Sequence, residues 1–255
     1  MPTKIEWTEE TWNPFVGCSK VSEGCRNCYA VRQAARCESF GISAYQGTTR
    51  NNGSLNWSGR INRGSDATWL KPMKLSPSMI FVNSMSDFWH PAAPDEWRKE
   101  ALWIMQQTPE HTYQILTKRP ENIAPMMSSV KPLAIPDNVW LGVTVEDAKA
   151  KKRIDILRRV PARIRFLSIE PLLESVGNLD LRGIHWVIIG GESGIGARPM
   201  QSDWVREIRD QCVAQKVHMF FKQFGKAANN PVQPPDSRGK GGSLLDGRYW
   251  KQYPK

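Results

Sequence analysis

Met79-Ile-Phe-Val-Asn83, a helical pattern over Asp95–Gln107, then Thr112-Tyr-Gln-Ile-Leu116: this stretch decides the fold. Its outer pieces are short apolar runs rich in branched and aromatic residues, which read as strands. Its middle places Trp97, Ala101, Ile104 and Met105 on one helical face. A strand, a helix and a second strand in this order read as a βαβ unit, so the two strands run parallel.

The same alternation continues outward. Asn138-Val-Trp-Leu-Gly-Val143, Ile164-Arg-Phe-Leu-Ser168, His185-Trp-Val-Ile-Ile-Gly190 and Val217-His-Met-Phe-Phe221 read as further strands. Helices are expected over 121–128, over 147–160 with Ala150, Ile154 and Leu157 inward, and over 202–216 with Ser202 as cap and Trp204, Ile208 and Cys212 inward. Upstream, 11–16 reads as the first strand and 28–38 as a helix ending near Gly41. Six to seven such units predict an α/β protein, a parallel β/α partial barrel of TIM-like type over 1–225. A doubly wound sheet is the competing topology. Residues 42–78, mixed in Gly, Asn, Ser and Trp, are expected to be an irregular insertion with little secondary structure. Residues 226–255 read as a C-terminal extension, a Gly- and Pro-rich loop over 226–242 followed by a hairpin or lid near Leu244.

At 255 residues, with 40% hydrophobic and 24% charged residues, the composition suits a soluble chain with a sizeable core. No apolar run is long enough to span a bilayer, so no membrane association is expected. The polar start, with three glutamates by residue 10, does not read as a signal peptide. Five cysteines, three of them bunched, point to a reducing cytoplasmic setting. A net charge of +10 suits a polyanionic partner and equally a generally basic soluble protein; indole can stack on bases, but Trp97 and Trp204 fall on apolar helix faces, so much of the count of eleven tryptophans reads as core.

The bunched cysteines lie in Gly17-Cys18-Ser-Lys-Val-Ser-Glu-Gly24-Cys25-Arg-Asn-Cys28-Tyr29. The two-residue gap lets Cys25 and Cys28 converge, and the longer glycine-flanked arm lets Cys18 join them. Three thiolates leave a metal or cluster one open position, whereas structural zinc sites close with four protein ligands. A zinc knuckle completed by Cys37 or a distant His, a disulfide with a spare thiol, and plain burial are the other readings of this spacing. Cys28 is expected at a helix N-terminus, where the dipole favours a thiolate. Cys37, nine residues on in the same helix, would lie about 13 Å away, which makes it a poor fourth ligand.

In parallel β/α folds the site gathers beyond the carboxyl ends of the strands. The second strand is followed by Ser84-Met-Ser86-Asp87 and His90, the third by Lys118-Arg119, the fourth by Thr144-Val-Glu146-Asp147, the fifth by Ser168-Ile-Glu170, the sixth by Gly190-Gly191-Glu192-Ser193-Gly194, and the seventh by Lys222-Gln223. Lys118 and Arg119 suit a carboxylate or phosphate, and equally a surface ion pair. Glu146, Glu170 and Glu192 suit ribose hydroxyls or an amino group, and equally suit helix caps. The glycines near 190 allow close backbone approach to a ligand, at a spacing unlike the dinucleotide fingerprint. His90 is the histidine best placed for proton transfer; His111, His185 and His218 precede strands. The catalytic candidates are His90, Arg119, Glu170, Glu192 and Lys222.

The cysteine loop after a first β/α strand, with Tyr29 following Cys28, resembles the radical S-adenosylmethionine enzymes. Phe81-Val-Asn-Ser-Met-Ser-Asp87, Leu116-Thr-Lys-Arg-Pro120, Leu141-Gly-Val-Thr-Val-Glu146, Ser168-Ile-Glu-Pro-Leu172 and Gly190-Gly-Glu-Ser-Gly194 resemble a bacterial and phage-encoded three-cysteine family distantly similar to spore photoproduct lyase. The resemblance implies a 4Fe–4S cluster on Cys18, Cys25 and Cys28, with S-adenosylmethionine at its open iron. It implies cofactor contacts from Ser84, Ser86, Lys118 and Thr144, with Glu146 beside them. It further implies a flavodoxin- or ferredoxin-like electron donor, and modification or lyase-type repair of a nucleic acid or nucleotide through a 5′-deoxyadenosyl radical. Two departures stand out: the first cysteine gap is six residues where the superfamily has three, and Gly-Gly-Glu follows the sixth strand where the superfamily has it after the second. A zinc-bearing nucleic-acid-binding protein without catalysis is the alternative. A hydrolase using Asp87, Glu146 and Glu170 with a divalent ion is a third option, which leaves the cysteines unexplained.

Overall fold

In chain order the computed structural model contains β1 (Glu10–Trp12), β2 (Phe15–Val16), α1 (Tyr29–Ser39), β3 (Thr49–Asn51), β4 (Leu55–Trp57), β5 (Asn62–Arg63), α2 (Asp66–Trp69), β6 (Met79–Val82), α3 (Asp95–Gln107), β7 (Thr112–Thr117), α4 (Ile123–Ser129), β8 (Val139–Thr144), α5 (Lys152–Arg158), β9 (Ile164–Ile169), β10 (Trp186–Gly190), α6 (Ser202–Ala214), β11 (His218–Gln223), β12 (Leu244–Leu245) and β13 (Arg248–Tyr249). It describes residues 3, 5–129, 131, 134–226 and 239–254. The protein is α/β, with a seven-stranded sheet in the order β1-β6-β7-β8-β9-β10-β11. No helix among the described residues is long and apolar enough to cross a membrane. The chain forms two compact units, 1–141 with 160–163, and 142–159 with 164–255.

In the first unit β6 pairs in parallel with β1 and with β7, as the strand–helix–strand stretch requires. Helix α3 begins with Asp95 and Glu96, which suit the positive end of its dipole, and buries Ala101, Leu102, Ile104 and Met105. Trp97 is half-buried and lies 6.0 Å from the Phe15 ring. Arg98 is almost fully buried, donating to the carbonyls of Phe88 and His90 and to Asp95.

The single strand expected over 11–16 is instead two. The chain breaks at Asn13-Pro14, where proline has no N–H for a ladder. Only β1 enters the large sheet; β2 pairs antiparallel with β5. The insertion over 42–78 also has more structure than expected, because β3 and β4 form a second antiparallel pair and Ser65 caps α2. Strands of two or three residues are too short to show a period in sequence.

In the second unit β10 lies parallel between β9 and β11. Lys222 and Gln223 are the last residues of β11, not part of a loop after it. Helix α6 buries Val205, Ile208 and Cys212, while Trp204 is half-buried. Ser202 does not cap it: Gln201 holds that position without a side-chain bond, and the Ser202 hydroxyl accepts from Arg206. The hairpin expected near Leu244 is present as β12 and β13. Its turn residue Asp246 is gripped by Arg206 and Arg209 of α6. Beyond it the chain runs antiparallel along β11, with Phe221 N–H on the Trp250 carbonyl at 2.7 Å and Gln252 N–H on that of Met219 at 3.0 Å. This covers a sheet edge that would otherwise expose unpaired backbone groups. The loop expected over 226–242 falls mostly on 227–238, outside the described residues.

Candidate functional site

The cysteine loop belongs to the first unit, and its two ends are held by the segment after β6. Gly17, which leaves β2, donates its N–H to the Met85 carbonyl at 3.0 Å, and its own carbonyl accepts the Ser86 hydroxyl at 2.6 Å. Its φ is +102°, and a Cβ there would stand 2.1 Å from the Arg60 carbonyl oxygen of the insertion. Glycine is therefore required both by backbone conformation and by the close approach of a second chain segment. Two residues on, Ser19 accepts from the Arg119 guanidinium on its carbonyl at 2.8 Å and on its hydroxyl oxygen at 2.7 Å. His90 Nε2 lies 2.9 Å from the same hydroxyl. At the far end, Cys25 closes a single 3-10 turn and Cys28 occupies the N-cap of α1. The Tyr29 hydroxyl then donates to the Ser84 carbonyl at 3.1 Å.

Asp87 fixes the segment that does this holding. It accepts from the Thr117 hydroxyl at 2.7 Å, the Trp89 N–H at 3.0 Å and the Lys118 N–H at 3.1 Å. Arg119 Nε is 3.9 Å from Oδ2, the oxygen that also takes the Lys118 N–H. Ser84 donates to Asn13 at the break between β1 and β2. Ser84, Ser86, Asp87, His90 and Arg119 thus form one scaffold under the cysteine loop, and Lys118 joins it through its backbone. Another wall is a buried cluster of Val16, Ala30, Val31, Ala34, Met85 and, from the insertion, Trp57, against which Cys18 and Cys28 pack.

The cysteines are free thiols, with Cys18, Cys25 and Cys28 partly exposed. Burial, reinforced by Asp87, pushes the Cys18 thiol up to about 12; the Arg119 charge opposes this, and Cys25 and Cys28 add to it. Among the described residues no group of three or more His, Cys, Asp or Glu side chains is gathered closely enough to hold a metal ion. The donor set itself fits a cluster or a soft metal, with three thiols outside any disulfide on one loop, and the raised Cys18 thiol sets a proton-release cost that the bound metal must meet.

His90 is buried, and burial, then Arg119 and Arg98, push its ring down to about 4. Its Nδ1 accepts the Ala92 N–H at 3.1 Å, so the neutral ring carries its proton on Nε2 and donates it to Ser19. This depression has a stability consequence. The folded chain keeps the ring neutral, while the unfolded chain protonates it below about 6.5. The contribution is complete above that value and is lost as pH falls toward about 4, a loss of roughly 3 kcal/mol. Urea unfolding of metal-free protein should show His90→Gln losing about 3 kcal/mol less than the parent over that window. Parallel stability curves for the two proteins would refute the assignment.

In the second unit the strand-end glutamates are each matched to a cation. Glu146 is fully buried and accepts from Arg153 at 2.6 Å, while the same guanidinium holds the Thr144 carbonyl at 2.8 Å. Glu170 accepts from Lys222 at 2.6 Å. Glu192 is buried and takes a two-pronged grip from Arg198, at 2.9 and 2.7 Å, plus the Arg198 N–H. The glycines near 190 serve a chain crossing: a Cβ on Gly191 would stand 2.0 Å from the Phe224 carbonyl oxygen, and Gly191 N–H bonds the Gln223 carbonyl. The close backbone approach expected for a ligand is thus made to the chain after β11. Cys212 is sealed in the core of this unit, where burial raises its thiol to about 12.

A family model described as "Protein of unknown function (DUF5131)" matches residues 2–254. The chain belongs to the DUF5131 family. No curated protein and no solved structure matches it. In this DUF5131 chain, sequence reading did not single out Asn13, Ser19 and Arg60, which shape the cysteine loop, nor Arg153 and Arg198, which hold the glutamates. Arg153 and Arg198 follow their glutamates by seven and six residues, a spacing that offers a signal for them. Arg60 acts through its backbone carbonyl, which no side-chain pattern reports. His111 and His185 serve as local backbone anchors, accepting the N–H groups of Ser78 and Arg165.

Proposed function

We propose that the protein is an iron–sulfur, S-adenosylmethionine-dependent radical enzyme on a TIM-like partial β/α barrel, with a nucleic acid or nucleotide as substrate. The observation that carries this reading is the cysteine loop: three thiols outside any disulfide, with both loop ends tied to one scaffold. Cys18, Cys25 and Cys28 would hold a 4Fe–4S cluster with one corner not taken by protein. When bound, the cluster and S-adenosylmethionine supply a reductively generated 5′-deoxyadenosyl radical that abstracts hydrogen from substrate.

The protein's share is positioning. Ser86 fixes the Gly17 carbonyl, so Cys18 leaves β2 in one direction. Arg119 and His90 fix Ser19 on its other side. The Arg119 charge also favours the Cys18 thiolate, the form a metal needs. Ser84, Ser86 and Lys118, which follow β6 and β7, are among the cofactor contacts that the resemblance suggests, the others being Thr144 and Glu146. The net charge of +10 supports a polyanionic substrate.

The test is anaerobic reconstitution with iron and sulfide, then reduction with dithionite in the presence of S-adenosylmethionine. Formation of 5′-deoxyadenosine above an unreduced control is the expected outcome. None formed, with one zinc per chain in native material, would replace the enzyme by a zinc-bearing nucleic-acid-binding protein.

A further inference from the structure

We propose that the outer face of α1 is a docking track for single-stranded nucleic acid running beside the cysteine loop. This rests on the substrate half of the reading above, and gives it a location. The inner face of α1 is apolar, with Ala30, Val31 and Ala34 buried in the cluster that also receives Cys18 and Cys28. The outer face carries Tyr29, Arg32 and Arg36 at helical spacing, with Arg26 just before the helix and Phe40 just after it. All five are exposed, Tyr29 by 57% and Phe40 by 69%.

Two arginines one turn apart, about 6 Å along the axis, offer consecutive phosphate contacts. Aromatic rings left in water next to arginines supply stacking surfaces for bases, and such surfaces accept any sequence. The Arg36 guanidinium lies 5.4 Å from the Phe40 ring centroid, so charge and stacking are offered at one place. The acidic residue of the last turn, Glu38, is directed to the insertion, where it accepts from Gly47 N–H and the Thr49 hydroxyl, both at 2.7 Å. Three arginines against the exposed Glu23 before Arg26 leave the face net cationic as well as aromatic, complementary to an unpaired polyanion. A duplex, whose bases are already stacked, would use only its charge.

Fluorescence anisotropy of the full chain with labelled oligothymidylate and oligouridylate tests this without cluster or S-adenosylmethionine. Arg32→Ala with Arg36→Ala should weaken binding at least about tenfold and lower the salt slope by roughly 1.4. Phe40→Ala should weaken it about tenfold with the slope kept, and Phe40→Trp should restore it. Arg36→Lys should bind nearly as the parent does, and unchanged thermal unfolding shows that the variants fold. Absence of binding by the parent, or affinities indifferent to these changes, overturns the assignment. Failure here leaves 5′-deoxyadenosine formation unaffected, and failure of that chemistry leaves this binding intact, so the two readings are separately decidable.

Discussion

Replacing Cys18 by Ala is expected to drop the iron content of anaerobically reconstituted protein from about four atoms per chain to below one. Formation of 5′-deoxyadenosine should fall to background with it. The fold should survive, because Cys18 is only partly buried at the margin of its apolar cluster and the deletion costs about 1 kcal/mol. Cys37→Ala is the control. Cys37 sits near the far end of α1, and its sulfur accepts the Gln33 amide at 3.6 Å. Iron and activity should both be unchanged in that variant. Parent-like iron in Cys18→Ala, or its loss in Cys37→Ala, would mean that the cluster ligands are elsewhere.

Gly17→Ala is expected to be the most destabilising change at the loop, costing about 4 kcal/mol. A left-handed backbone accounts for about 1–2 kcal/mol of this. The rest comes from the contact 2.1 Å from the Arg60 carbonyl, which is backbone and must move as a segment. Gly53→Ala separates the two causes: φ is +79° there too, but nothing lies within 4 Å of the added carbon. That variant should lose only about 1 kcal/mol. Urea unfolding gives both numbers. Gly17→Ala should also take up less iron although every cysteine remains, because the insertion fixes where Cys18 begins. Equal losses at the two glycines would remove the insertion from that role.

Much of the fold was legible because it rests on long-period signals. The runs 79–82, 139–144, 164–169 and 186–190 are nearly continuous apolar strands, as expected where both faces are covered. Helix α3 matches its sequence pattern to the residue because Pro94 precedes it and Thr108 ends it. What was not legible is short or pairwise. Strands β2 and β5 have two residues each, and their pairing depends on partners more than forty residues apart. The Glu170–Lys222 pair likewise joins positions 52 apart. Strand-end polarity announced a set of chemically active residues, yet in this structure Glu146, Glu170 and Glu192 are already matched with cations. Polarity after a strand cannot distinguish a side chain awaiting a ligand from one answering a buried charge. The cysteines were legible as a set because their chemistry lies in spacing within one loop. The scaffold that holds them was legible only as separate strand ends.

On the proposed reading, Cys18, Cys25 and Cys28 share an iron–sulfur cluster with one corner open to S-adenosylmethionine. Electron paramagnetic resonance of the reduced, reconstituted protein, with and without S-adenosylmethionine, decides whether that cluster exists and has an open corner. A reduced-cluster signal that changes shape when S-adenosylmethionine is added is the result expected. A signal indifferent to S-adenosylmethionine, or no cluster signal in protein that retains all three cysteines, would contradict it.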